Sequence, residues 1–205
     1  MSLTLSENTK PSIPLLEEGT YPAICFLMVD LGLQYNETFG KNAKKIAIGW
    51  ELPGETITID GVEQPRTFIN VYTASLNSKG NLRRDLKAWR GRDFTLEELK
   101  AFDLKSIIGV PCLIGVIHNE ASNGNTYVNL SSISRLPKGF AVPEGRLSHV
   151  IYDIDENDPR EIANLPNWMQ EMITKSQSYI DRINSDTEAG KVVELPGDDE
   201  EGLPF

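Results

Sequence analysis

Residues Tyr21 to Asp30 read YPAICFLMVD, an apolar run with one charge at its far end. A run of this length and composition makes a well-buried strand. Neither it nor any other apolar run approaches the roughly 18 residues that cross a bilayer. The segments after it continue the strand pattern. Gly32 to Lys45 holds Gly32, Asn36, Gly40 and Asn42, the residues of a loop. Lys44 to Leu52 alternates and places Ile46, Ile48 and Trp50 on one face. Pro53-Gly54 ends that strand. Thr56 to Ile59 is a short strand closed by Asp60-Gly61, a hairpin signal. Arg66 to Thr73 is another.

The pattern then changes. Asn81 to Arg90 predicts a basic helix ended by Gly91. Thr95 and Glu98 form a capping box that opens a short helix to about Leu104. Ile107 to His118 is an apolar strand, Asn119 to Asn125 a loop, and Tyr127 to Ile133 the last strand. Five main strands with a helix between the third and fourth give a mainly β chain in the order of an OB-like barrel. Another small α+β or sandwich domain remains open.

The expected divisions are a loose arm (1–18), the barrel (19–135), a linker or strap plus a C-terminal helix (136–184), and an acidic, mobile tail (185–205). In the third division Asn167 to Asn184 places Met169, Met172, Ile173, Ile180 and Ile183 at helical spacing. That apolar face packs on the barrel or forms a dimer contact, which leaves a homo-oligomer open.

The net charge is −10, but it is unevenly distributed. Residues 1–135 carry 14 Lys/Arg and 15 Asp/Glu, whereas residues 136–205 carry 6 and 15. Nucleic-acid binding depends on local positive potential rather than the whole-chain sum. Lys79, Arg83, Arg84, Lys87, Arg90 and Arg92 cluster with a single acid, Asp85. The cluster is a phosphate path or a solvated helix face.

Within Arg66 to Thr73 the alternation puts Ile69 and Val71 on one face and Arg66, Phe68, Asn70 and Tyr72 on the other. With Ile69 and Val71 in the core, Phe68, Tyr72 and Arg66 form an outward row of rings beside a cation. Unpaired bases stack on such rings at about 1–3 kcal/mol each. The alternative is that Phe68 and Tyr72 are core residues. Tyr127 is a third candidate ring on the last strand. Tyr35, Phe39, Lys41, Lys44 and Lys45 are candidates on the first loop, where OB folds close over a ligand.

Enzyme signatures are missing. His118 and His149 stand in no HExxH or Cys/His metal spacing, and no GxSxG, P-loop or GxGxxG has a suitable context. Asp153, Asp155, Glu156 and Asp158 lack the glycine and final glutamate of an EF-hand loop. The expectation is a chain without catalysis, cofactor or metal. Cys25 and Cys112 lie 87 positions apart with no CxxC pair, which suits two buried thiols in a reducing, cytoplasmic setting.

The sequence ends Asp198-Asp199-Glu200-Glu201-Gly202-Leu203-Pro204-Phe205. Acids steer an encounter, the apolar tip fills a pocket, and a basic rim takes the carboxylate of Phe205. This ending resembles the acidic tip, finishing in Pro-Phe, of bacterial single-stranded-DNA-binding proteins; Gly202 departs from the commoner run of acid directly into the tip. The segments EEGTYPAICFLMVD, FDLKSIIGVPCLIGVIHN and LPNWMQEMI resemble phage-encoded single-stranded-DNA-binding proteins. The resemblance implies an OB-fold that holds single-stranded DNA during replication, recombination or repair in the host cytoplasm. It also implies that Asp198, Asp199, Glu200, Glu201, Leu203, Pro204 and Phe205 recruit replication or recombination proteins. The alternative is an adaptor or structural protein of a phage particle, with the barrel used for protein contacts.

Overall fold

The computed structural model describes residues 14–36, 40–59, 61–122, 124–142 and 144–190. The chain is mainly β. Strands β1 (Gly19–Asn36), β2 (Lys41–Ile59) and β3 (Val62–Thr73) are followed by helix α1 (Asn81–Arg90). Strands β4 (Pro111–Glu120), β5 (Thr126–Arg135) and β6 (Val150–Tyr152) precede helices α2 (Asn167–Thr174) and α3 (Gln177–Glu188). The strands form one six-stranded sheet in the order β3-β2-β1-β4-β5, antiparallel throughout, with β6 added parallel to β1.

Of the expected OB-like barrel, the structure has the mainly β strand order. Among the described residues the outer strands β3 and β5 share no ladder, so the sheet is not closed. Helix α1 packs against both of them. Its apolar side, Leu82, Leu86 and Trp89, fills the space that closure would have removed.

β1 organises the sheet. Its first part, Gly19 to Ile24, pairs with β4, and Leu27 to Val29 pair with β6. Between them the ladder to β2 slips, and Phe26 is the extra residue, a β-bulge. The slip sends Phe26 and Leu27 to the same side. Cys25 and Met28 face a cluster with Trp50, Phe68, Trp89 and Ile114, while Phe26, Leu27 and Val29 face a second cluster. Gly49 makes this arrangement possible, because a Cβ there would stand 3.0 Å from Leu27 Cβ.

The second cluster is built by the C-terminal region. Tyr152, Ile154, Ile162, Leu165, Met169, Ile173 and Tyr179 cover the outer face of β1 and β2. The single expected helix from Asn167 to Asn184 is two helices. Ser176 interrupts it and its hydroxyl caps α3 by accepting from Tyr179 N–H. Ser185 to Glu188 belong to α3 rather than to a tail. β6 lies inside the expected linker. The strap before it is held by buried Glu51, whose carboxylate accepts from the N–H groups of Arg146 at 2.8 Å and Leu147 at 3.0 Å.

Three further expectations change. The loop from Gly32 to Lys45 is mostly strand, with β1 and β2 paired out to Asn36 and Lys41. The capping box forms, Thr95 N–H to Glu98 at 2.9 Å and Glu98 N–H to Thr95 at 3.2 Å, but a turn follows it rather than a helix. Asp103 then caps a separate 3-10 turn, Leu104–Ile107. The arm is tied down at its end: Leu16 is buried, and His118 Nε2 lies 2.7 Å from the Leu16 carbonyl.

Gly32 couples β1 to α3. Its φ is +75° and a Cβ there would stand 2.3 Å from Ser176 Oγ. Asp30 accepts from Gly32 N–H at 2.9 Å. Replacing Gly32 with Ala is expected to destabilise the fold by about 2 kcal/mol or more. A urea titration will show a lowered midpoint with little change in slope.

Candidate nucleic-acid interface

Between β3, β5 and the start of α1 lies a cleft of about 710 Å³. Asn70 and Thr73 come from β3, Asn129 and Leu130 from β5, and Lys45 from β2. The β3–α1 connection adds Ser75, Asn77 and Lys79, and α1 adds Asn81, Arg84 and Asp85. The connection is tightly folded: Gly80 N–H donates to the Asn77 carbonyl at 2.8 Å, and a Cβ on Gly80 would stand 3.1 Å from that oxygen. Helix α1 starts without a side-chain cap and without an acid in its first turn. Its N-terminal N–H groups therefore add to the positive potential there.

Three cations, Lys45, Lys79 and Arg84, line the cleft against one carboxylate, Asp85. Lys45 Nζ donates to Thr73 Oγ1 at 2.8 Å. Arg84 Nε donates to Asp85 at 2.8 Å, and that hydrogen bond raises the guanidinium pKa. Lys79 is exposed and makes no ion pair among the described residues. The floor is Tyr72, whose hydroxyl reaches Asp85 at 3.1 Å. Burial, then the Asp85 charge, pushes the Tyr72 phenol well up, so it stays protonated.

The outward row of rings is not there. Phe68 is 7% exposed and Tyr72 is 4% exposed, both within the cluster of Trp50 and Trp89. Register explains the reversal. Trp50 pairs with Phe68, Ile48 with Asn70 and Ile46 with Tyr72, and paired residues share a face. Since Trp50, Ile48 and Ile46 point to the core, so do Phe68 and Tyr72. Ile69 packs in the second cluster and Val71 is 40% exposed.

Other expected contacts are dispersed. Arg66 donates to the Pro14 carbonyl and holds the N-terminal segment. Lys44 turns away from the cleft to pair with Asp30 at 2.9 Å; partial burial opposes its charge, but Asp30 outweighs it and raises the pKa. Tyr35 and Lys41 are exposed at the β1–β2 end, and Tyr127 is 49% exposed at the start of β5. Phe39 and the segment Asp198 to Phe205 lie outside the described residues.

The cationic helix face is internally neutralised. Asp93 pairs with Lys87 at 2.8 Å and with Arg83 at 3.4 Å. Glu98 pairs with Arg90 and with Arg92. Arg90 also lies 4.4 Å above the Phe94 ring and 4.9 Å above Phe102. Arg83, Lys87 and Arg90 fasten α1 to residues 93–102, and only Lys79 and Arg84 of the cluster reach the cleft. None of the four asparagines of the cleft is among the binding residues expected from the sequence, where Asn70 is only a neighbour of Phe68 and Tyr72 on one face of β3.

No protein-family profile matches the chain, and no curated protein matches it.

Among the described residues no group of three or more His, Cys, Asp or Glu is placed to hold a metal ion. In the segment from Asp153 to Asp158, Asp153 accepts from Asp155 N–H, Glu156 pairs with Lys105, and Asp158 binds Arg160. Both thiols are buried; burial pushes Cys25 up to about 12 and Cys112 higher still. Among the described residues no helix is long and apolar enough to cross a membrane.

Two outcomes follow from these placements. Phe68→Ala is expected to cost about 3–5 kcal/mol of stability, the loss typical of a core aromatic; a stacking platform at the surface would leave the denaturation midpoint nearly unchanged. Asp93 is held down to about 2, first by Lys87 and then by Phe94 N–H; Glu98 is held down to about 2, first by Arg92 and then by Thr95 N–H. Their ordinary values are 3.8 and 4.5. Their contribution is therefore complete above pH 4.5 and is lost as pH falls from there toward 2. Stability measured against pH should lose this dependence in the Asp93→Asn, Glu98→Gln double variant.

Proposed function

We propose that this protein binds single-stranded DNA in the cleft between β3 and β5, and that its acidic C-terminal segment recruits partner proteins. The observation that carries the reading is the cleft itself: three cations against one carboxylate, between two strand edges that share no ladder. A cleft lined in this way suits the flexible backbone of a single strand, whose phosphates meet the cations. The strand order and the helix between β3 and β4 support an OB-like barrel opened between β3 and β5.

Binding here rests on phosphate contact rather than ring stacking, because the cleft presents no exposed aromatic face. The run Asp198 to Glu201 followed by Leu203, Pro204 and Phe205 supports a docking element whose acids also compete with DNA for the cations of the cleft.

A labelled oligonucleotide titration tests the reading. Single strand should bind more tightly than duplex at about 50 mM salt. The slope of log K against log salt should be about −2, from roughly 0.7 per neutralised phosphate at three cations. Lys79→Ala should reduce that slope by about 0.7. Equal binding of single strand and duplex, or none at low salt, defeats the assignment. Deleting residues 198–205 should leave strand binding intact or tighter while abolishing partner capture.

A further inference from the structure

The cleft offers bases no ring to stack on, yet four asparagines line it: Asn70, Asn77, Asn81 and Asn129. Three of their amides are already oriented by the protein. Asn81 Oδ1 accepts from Arg84 Nη1 at 3.1 Å, which leaves its Nδ2 as a donor. Asn77 Oδ1 accepts from Lys79 N–H at 3.0 Å, which likewise leaves its Nδ2. Asn129 has the opposite polarity, because its Nδ2 donates to the Tyr127 carbonyl at 3.3 Å and its Oδ1 remains an acceptor. The unengaged amide nitrogens therefore belong to the α1 side and the unengaged amide oxygen to the β5 side. Amide groups held in one orientation read the hydrogen-bonding edge of a base, whereas ring faces and cations do not distinguish one base from another.

Resting on the assignment of the cleft to single-stranded DNA, we propose that these asparagines read base edges and give the protein a base preference. Asn81 and Asn77 supply donors to carbonyl or ring-nitrogen acceptors, and Asn129 accepts from an amino or imino group. Lys45, Lys79 and Arg84 hold the phosphates and set the affinity common to all sequences.

Thymidine and cytidine homo-oligomers of about 20 nucleotides test this with the full chain. The two bases have similar rings and differ at their edges, so stacking contributes little to the comparison. Their affinities should differ by about five-fold or more. The ratio should fall toward one in both Asn81→Ala and Asn129→Ala, two substitutions on separate elements. Asn129→Ala, which removes no hydrogen bond to the three cations, should not change the affinity for an abasic oligomer of the same length, which retains every phosphate. Equal affinity for the two homo-oligomers, or a preference that survives both substitutions, overturns the base-reading role and leaves the strand-binding assignment standing. Binding to none of the oligomers overturns both.

Discussion

A single bulged strand carries the architecture. β1 exchanges its partner from β4 to β6 half-way along, and the extra residue Phe26 marks the exchange. Without the bulge, alternation would keep Phe26 and Leu27 on opposite faces. With it, both reach the outer cluster, while Cys25 and Met28 serve the inner one. The two hydrophobic clusters thus share a wall one strand thick. The C-terminal helices are bound into the domain because β1 gives them a continuous apolar surface. Ser176 against Gly32, and the Gln34 side chain donating to the Met172 carbonyl at 2.7 Å, lock that contact.

A second irregularity determines what the site contains. At its tip the β2–β3 hairpin pairs Ile59 with Val62, yet beyond the slip Leu52 pairs with Arg66. Residues Pro53, Gly54 and Glu55 are looped out between Leu52 and Thr56. Three is an odd number, and an odd slip turns every following side chain to the other face. An unbroken hairpin would have set Trp50 opposite Val71 and Leu52 opposite Ile69, with Phe68 and Tyr72 outside. The looped-out residues instead bring Phe68 beside Trp50, with ring centroids 6.3 Å apart. The cleft consequently has an amide and cation lining over an aromatic floor that is already engaged.

The charges divide into two groups with different work. Arg83, Lys87, Arg90 and Arg92 are spent on Asp93 and Glu98, an arrangement that fixes α1 beside residues 93–102. Lys45 comes from β2, Lys79 and Arg84 come from the start of α1 and the turn before it, and the three meet at the mouth between β3 and β5. Exposed ion pairs contribute little to stability individually, so the first group matters mainly for where it holds the helix. That placement sets α1 against both β3 and β5, beside the cleft that the second group lines.

Local signals were legible in the sequence: the buried strand from Tyr21, the alternation of Ile46, Ile48 and Trp50, the helix from Asn81 closed by Gly91, and the Thr95–Glu98 box. Each depends on neighbours within a few residues, so periodicity and capping chemistry suffice to reveal it. The parity of β3 was legible too, since Phe68, Asn70 and Tyr72 do share a face. Which face meets the core was not, because that depends on how Pro53 to Glu55 are accommodated when β2 pairs with β3. Nor could the sequence gather Lys45, Asn70, Lys79 and Asn129 into one cleft. Those residues are distant along the chain, and only the pairing of strands, with α1 lodged at the opening, brings them together.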